Sequence, residues 1–286
     1  MSMKKKEILK HLHHYGIPEM EISHLRSSVN DVYIIGDNDY VLRMHKMRDN
    51  TDTLYNISNQ PRRSHILEAA GAQIVPAAFP YAFLDDNYIS TLWEYGEQSH
   101  SKNDIFNALN SLHNIYDKDV VEALRLPRMD IISIIQKRVD EFTIKTDHKD
   151  IASFLLQEVE QARIENEHIG HAGNNIVHLD GYQRNVVLYN EKPSLIDLDT
   201  LSLGPYQYDY IVSYVSSILS HQEIDKNIIE TVTKWDLFEE AYHLRLIEML
   251  SWIAVMSLSS DIHEKELILR YESIVNGRDY KWDLNL

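Results

Sequence analysis

The stretch that most constrains this chain runs from His178 to Asp199, where HLDGYQRN is followed by an apolar run and then LIDLD. Three side chains in it have complementary chemistry. Asp180 can accept a proton, Asn185 offers a neutral oxygen and Asp197 an anionic one. Val177 and His178 end an apolar run, Val186 to Tyr189 reads as a second strand, and Ser194 to Ile196 reads as a third. Asn190-Glu191-Lys192-Pro193 supplies the turn between the last two. A strand, a polar loop and a hairpin are expected to bring Asp180, Asn185 and Asp197 to one mouth. Oxygen ligands for Mg2+ beside a carboxylate that receives a hydroxyl proton suit phosphoryl transfer. An aspartate at a strand end can also simply cap a turn. Asn185 and Asp197 following in order tell against that reading of Asp180.

Composition narrows the class of partner. The 286 residues suffice for one large domain or two lobes. A net charge of −16 argues against binding nucleic acid, whose phosphates need a basic surface, and against docking on an anionic membrane. The same charge attracts cations, so a polyamine or quaternary amine is one expected class of ligand, with plain solubility the competing explanation. There is no cysteine, which excludes disulfides and thiolate metal sites. No stretch reads as a signal peptide or a membrane span, so a cytoplasmic protein is expected. Oligomeric state is not legible.

In chain order, residues 4–15 read as a helix stopped by Gly16, and the histidines at 11, 13 and 14 lack the one-face spacing of a metal site and read as a solvated helix face. Ser28 to Tyr33, the turn Gly36 to Asp39, and Tyr40 to Met44 read as a polar loop and a hairpin. The polar loop would let backbone N–H groups approach phosphates. Arg43 places a cation near the end of an apolar strand. A helix is expected over 60–70, a strand over 88–93, and a hinge at Glu94-Tyr95-Gly96. Beyond Ser99 the pattern turns helical, with expected helices near 105–115, 130–143, 150–164, 206–219, 227–235, 238–258 and 263–275. Asp236, Glu239, Glu240, Glu248, Asp261, Glu264 and Glu266 fall in the last of these and read either as a lining for a cationic ligand or as a solvated face. Trp235 and Trp252 fit core packing better than a box for a quaternary amine.

These motifs carry a family resemblance. HLDGYQRN resembles the HxDxxxxN catalytic loop of the aminoglycoside phosphotransferase and choline kinase superfamily, and LIDLD resembles its IDFD or IDWE metal motif. Gly204-Pro205 through Asp209 is similar to its G-P-x-x-x-D segment, Ser28 to Tyr33 to its S-x-N-x-V-Y strand, Tyr40 to Arg43 to its yvLR strand, and Leu112-His113 to its L-H pair. The matches span residues 27 to 210 in the family's order.

The resemblance implies an α+β, two-lobed, protein-kinase-like fold, with a small β-rich nucleotide-binding lobe at 1–95 and a larger, mostly helical catalytic and substrate-binding lobe at 96–286. It implies ATP and Mg2+ as cofactors and a small-molecule hydroxyl as acceptor. Asp180 is then the catalytic base, and Asn185 and Asp197 are the metal ligands. Ser28, Asn30, Arg43, Trp93 and Tyr95 are the candidate nucleotide-binding residues, Arg43 at the α- and β-phosphates. His178 and Asp209 are expected to hold the loop. Two departures stand out: the helix glutamate that pairs with the strand cation in the family falls, by count, on Gln60 beside Pro61, and Arg184 stands where the family often has glycine.

Overall fold

The computed structural model describes residues 3–27, 30–47 and 51–284. They divide into two compact units, one of residues 1–100, 110–125 and 184–200, the other of 101–109, 126–183 and 201–286.

The first unit begins with α1 (Met3–His14), which stops at Gly16 in a left-handed conformation that costs glycine little. Five antiparallel strands follow: β1 (Ile22–Ser27), β2 (Asn30–Ile35), β3 (Tyr40–Lys46), β4 (Phe83–Leu84) and β5 (Tyr88–Glu94), in the order β1-β2-β3-β5-β4. The β2–β3 turn uses positive φ at Gly36 and Asn38, as its composition predicts. Ile8, Leu9 and Leu12 come from one stripe of α1 and pack with Tyr33, Ile35, Leu42, Met44 and Leu92 of the sheet. Leu12 is fully buried, and its replacement by alanine is expected to cost about 2–5 kcal/mol. His11 reinforces this docking, its Nδ1 lying 2.7 Å from Ser90 Oγ and its Nε2 3.2 Å from Asp85. The His11 ring is fully buried, so at this position the helix packs instead of facing solvent, while His13 and His14 are exposed.

α2 (Thr51–Ala69) starts nine residues before the expected helix and carries Pro61 in its interior. A proline that opens a helix and one that interrupts it look alike in sequence. β6 (Glu97–Gln98), β8 (Val186–Tyr189) and β9 (Lys192–Leu195) form a second, three-stranded sheet in the order β6-β8-β9. The β8–β9 turn is only Asn190-Glu191, both at positive φ, so Lys192 and Pro193 belong to the strand rather than the turn. The far side of β9 meets residues 73–75: Leu195 N–H donates to the Gln73 carbonyl at 2.9 Å, and Val75 N–H to the Leu195 carbonyl at 3.0 Å. α4 (Lys118–Leu124), capped by Asp117, completes this unit, while α3 (Asp104–His113) is divided between the two.

The second unit is built of helices. α5 (Ile131–Lys145) is capped by Asp130 and buries Ile131, Ile135, Val139 and Phe142 along one stripe. α6 (Lys149–His171) buries Ile151, Leu155, Val159, Ala162 and Ile169 in the same way. α7 (Tyr206–Leu219), α8 (Lys226–Thr233), α9 (Phe238–Ser257) and α10 (Asp261–Asn276) follow. Two three-residue strands, β7 (Asn175–Val177) and β10 (Ser202–Gly204), pair antiparallel beneath the loop that starts at His178. The segment after α10 folds back, with Arg270 donating to Glu266 at 2.8 Å and to the Asp283 carbonyl at 2.6 Å and lying 4.9 Å over the Trp282 ring. Among the described residues, no helix is long and apolar enough to cross a membrane.

Candidate active site

In the first unit, Asn185 and Asp197 are brought together by the hairpin register. Val186 faces Leu195, and one step beyond it the Ile196 N–H donates to the Asn185 carbonyl at 3.0 Å. Asn185 therefore lies across the hairpin's base from the residue before Asp197. Asn185 is buried, and Asp197 adopts positive φ, a conformation aspartate tolerates better than most residues.

Arg43 is the dominant cation here. Its Nη2 lies 3.0 Å from Asp197 Oδ1 and 3.4 Å from both oxygens of Asp199. Burial works against its charge, but the carboxylates of Asp197 and Asp199 more than offset this and raise its pKa. His45 is pushed down to about 3 by burial and by the Arg43 charge, so it is neutral at ordinary pH. Arg26 reaches Asp197 from the exposed β1 edge at 3.9 Å.

The departure at Gln60 has a definite structural outcome. Gln60 is fully buried, and its Nε2 donates to Asp199 Oδ1 at 2.5 Å. Where the resemblance implies a helix carboxylate holding the strand cation, this chain uses Asp197 and Asp199 for the cation and an amide for Asp199. Asp199 is pushed up to about 7, first by burial and then by the Asp197 carboxylate, against the opposing pull of Arg43. Two carboxylates thus share one buried guanidinium, and their remaining oxygen lone pairs are the hard donors a further cation would use.

That is the basis for testing a metal here. Among the described residues, no group of three or more His, Cys, Asp or Glu is arranged to hold a metal ion. Mg2+ does not need one, since it commonly takes one or two carboxylates and completes its shell with water and phosphate oxygens. The hard-oxygen set of Asn185, Asp197 and Asp199 fits such an ion.

Of the other candidates, Ser28 lies outside the described residues. Asn30 opens β2 opposite His45, and its Oδ1 is buried without a hydrogen-bond partner. Trp93 is buried on β5 and donates its indole N–H to Thr91 Oγ1 at 2.8 Å, while Tyr95 follows the strand half-buried.

In the second unit, Asp180 sits on a loop held from below. The fully buried Asp209 carboxylate accepts the His178 N–H at 2.7 Å and the Leu179 N–H at 2.6 Å. Leu179 has a φ of +63°, a conformation a branched, bulky residue adopts only when its surroundings impose it. The Asp180 N–H in turn donates to His178 Nδ1 at 3.3 Å, and Ser213 Oγ donates to the Gly181 carbonyl. His178 and Asp209 are therefore structural holders of the loop. Asp180 is 39% exposed, and Arg245 on α9 brings Nη2 to 3.6 Å from its Oδ1.

The architecture has known counterparts. An amicoumacin kinase solved with AMP-PNP and Ca2+ superposes with a TM-score of 0.67 at 12% identity, covering 98% of this chain and 96% of that one. The fold is that of the aminoglycoside phosphotransferases and choline kinases. An aminoglycoside 2'-phosphotransferase-IIIa in complex with GDP gives a TM-score of 0.66 at 10% identity over 97% of this chain and 100% of that one. An ethanolamine kinase from Plasmodium vivax gives 0.66 at 15% identity over 95% and 88%. No protein-family model and no curated protein matches the sequence. The two-lobed, kinase-like α+β class expected from the motifs is the observed one, with a small antiparallel sheet ahead of a helical part.

Arg245 and Gln60 are among the polar residues whose roles sequence reasoning did not foresee. Arg245 had one signal: it stands on the buried stripe of α9 next to Leu244, three residues before Glu248.

Proposed function

We propose that this protein is an ATP-dependent phosphotransferase that moves the γ-phosphoryl group to a hydroxyl of a small molecule. The observation that carries this reading is the arrangement of Asn185, Asp197 and Asp199 around the base of one hairpin with Arg43 on the carboxylates. On this reading, Asp180 orients the acceptor hydroxyl and takes its proton as the new P–O bond forms, with ADP leaving. Asp180 needs no raised pKa for this, because the proton moves late. Asn185 and Asp197, with Asp199, would hold Mg2+, which neutralises charge on the β- and γ-phosphate oxygens when bound. Arg43 contributes a fixed positive charge on the same side. Ser28 and Asn30 provide donors for the phosphates, and Trp93 and Tyr95 border the nucleotide.

Catalysis of this kind rests on positioning and charge neutralisation. The proteins that share the fold include kinases of amicoumacin, aminoglycosides, ethanolamine and choline, which supports a small-molecule acceptor. The net charge of −16 favours a cationic acceptor at long range, whereas the charges next to Asp180 favour a different one.

The test is ADP release with ATP and Mg2+ across alcohols of each charge class. Asp180→Ala and Asp197→Ala are each expected to lower turnover by about 100-fold or more. Nucleotide that raises Tm while no acceptor in any class supports ADP release would point instead to a binding module, the reading that Gln60 in place of a helix glutamate favours.

A further inference from the structure

Of the seven acidic residues of the C-terminal part named above, four pair with an arginine or a histidine, and Asp236, Glu239 and Asp261 are exposed. Glu240 is 3.2 Å from His168, Glu248 is 2.8 Å from Arg245, Glu264 is 2.7 Å from His148, and Glu266 is 2.8 Å from Arg270. Glu248 and Glu266 are largely buried in their pairs, whereas the Glu240 and Glu264 side chains stay 35% and 44% exposed. Beside Asp180 the balance is the reverse of what a cationic acceptor needs.

Two guanidinium groups meet there. Arg245 is 7% exposed, with its Nη1 bonded to Glu248 Oε2 at 2.8 Å and its Nη2 3.6 Å from Asp180, outside hydrogen-bonding distance. Its Nε is buried without a hydrogen-bond partner. Arg138, half-buried on α5, reaches the same turn of α9 and donates Nη1 to the Glu248 carbonyl at a long 3.4 Å. Burial depresses the Arg138 pKa, and the Arg245 charge adds to this against the pull of Glu248 and Asp180. A guanidinium carries several N–H donors in a planar fork suited to carboxylate and phosphate, and burying such donors unused is costly. The pair therefore holds donor capacity in excess of its acceptors.

The reaction makes the imbalance larger. With Asp180 ionised, the charges of Arg138, Arg245, Asp180 and Glu248 cancel. Once Asp180 has taken the hydroxyl proton it is neutral, and of the protein's own charges here the two arginines are left with Glu248 and whatever anion the ligands bring. A positively charged acceptor would worsen this state, while an anionic group on the acceptor would relieve it.

We infer that the acceptor carries an anionic group, a carboxylate in the simplest case, close to the hydroxyl that is phosphorylated, and that Arg245 and Arg138 recognise it. This rests on the phosphotransferase reading above and assigns specificity within it. Arg245 also lies beside Asp180, so Arg138 is the cleaner residue to vary.

The experiment uses matched acceptors: hydroxy acids and hydroxy amino acids, their primary amides, the corresponding amino alcohols, and phosphomonoesters of diols. ADP release gives kcat/KM for each, and calorimetry in the presence of AMP-PNP gives binding without turnover. Hydroxy acids are expected to exceed their amides by about ten-fold or more in kcat/KM, the scale of a charge-assisted hydrogen bond. Arg138→Gln is expected to bring that ratio close to one, and Arg138→Lys to restore part of it. A merely structural arginine would lower all acceptors together and leave the ratio alone, which overturns the proposal. Preference for amides or amino alcohols in the wild type also overturns it while leaving the kinase reading intact. Preference for the phosphomonoesters keeps the anion site and reassigns its ligand. If no acceptor releases ADP, the kinase reading fails, and calorimetry alone decides: the anion site stands if hydroxy acids bind wild type more tightly than Arg138→Gln, and falls if they do not.

Discussion

Asp209 offers the most direct test of how the loop bearing Asp180 is held. Its carboxylate is fully buried and accepts two backbone N–H groups, from His178 and Leu179, at 2.7 and 2.6 Å. Hydrogen bonds to a charged partner contribute about 1.5–3 kcal/mol each. Asp209→Ala removes both and leaves two buried donors, a gross loss of about 3–6 kcal/mol. Part of this returns when Leu179 relaxes from its left-handed conformation, which stores about 1–3 kcal/mol. The net expectation is a loss of about 2–4 kcal/mol, a large share of a typical domain's 5–15 kcal/mol. Asp209→Asn keeps the shape and one acceptor oxygen, and should lose about half as much. Urea unfolding followed by circular dichroism measures both, with the m-value checked for constancy. The Asn variant should remain folded yet lose up to about 100-fold in kcat, because a shift of an ångström at Asp180 is enough. An Asp209→Ala protein within about 1 kcal/mol of wild type would refute the claim that this carboxylate imposes the loop conformation.

Two further outcomes follow from other parts of the molecule. Asp199 is raised to about 7 in the folded chain against an unfolded value of 3.8. Between these values the native state holds a proton the unfolded state has released, so metal-free stability should fall as pH rises from about 4 to about 7. Asp199→Asn should flatten that slope in thermal melts across the window, and an unchanged slope would mean another group is responsible. Arg270→Met should cost about 3–5 kcal/mol by leaving the buried Glu266 carboxylate unpaired. It should also shift the Trp282 fluorescence to the red as the folded-back segment loosens, and a blue-shifted, fully stable variant would contradict the pairing.

How much of this was legible in sequence depended on the range of the interactions involved. The β2–β3 hairpin, the β8 strand and the start of α7 at Gly204-Pro205-Tyr206 follow from local turn and helix chemistry, and the structure places them within a residue or two. β1 was not anticipated, because ISHLRS is an edge strand whose residues after Ile22 up to Arg26 are exposed, leaving no apolar alternation to read. α4 is a single short helix whose main signal is its Asp117 cap. In the site, Asn185 and Asp197 could be placed from the hairpin alone. The partners of Arg43 could not, since Asp197 lies 154 positions away and Asp199 took the place expected of a helix glutamate. Arg138 and Arg245 are likewise more than a hundred residues apart, and only their common contact with Glu248 reveals them as a pair.

The position of β9 has a consequence for how this protein behaves in a crowded solution. Strand edges with open N–H and C=O groups recruit strands from other molecules. Along β9 one side is paired with β8, Leu195 on the other is taken by Gln73 and Val75, and Pro193 has no N–H to offer. The hairpin that carries Asn185 and Asp197 at its base is thus poorly suited to nucleating intermolecular sheet, even when the site around it is empty. Replacing Pro193 with a β-branched residue would restore a donor at that edge and is the change most apt to turn a catalytic hairpin into an aggregation seed.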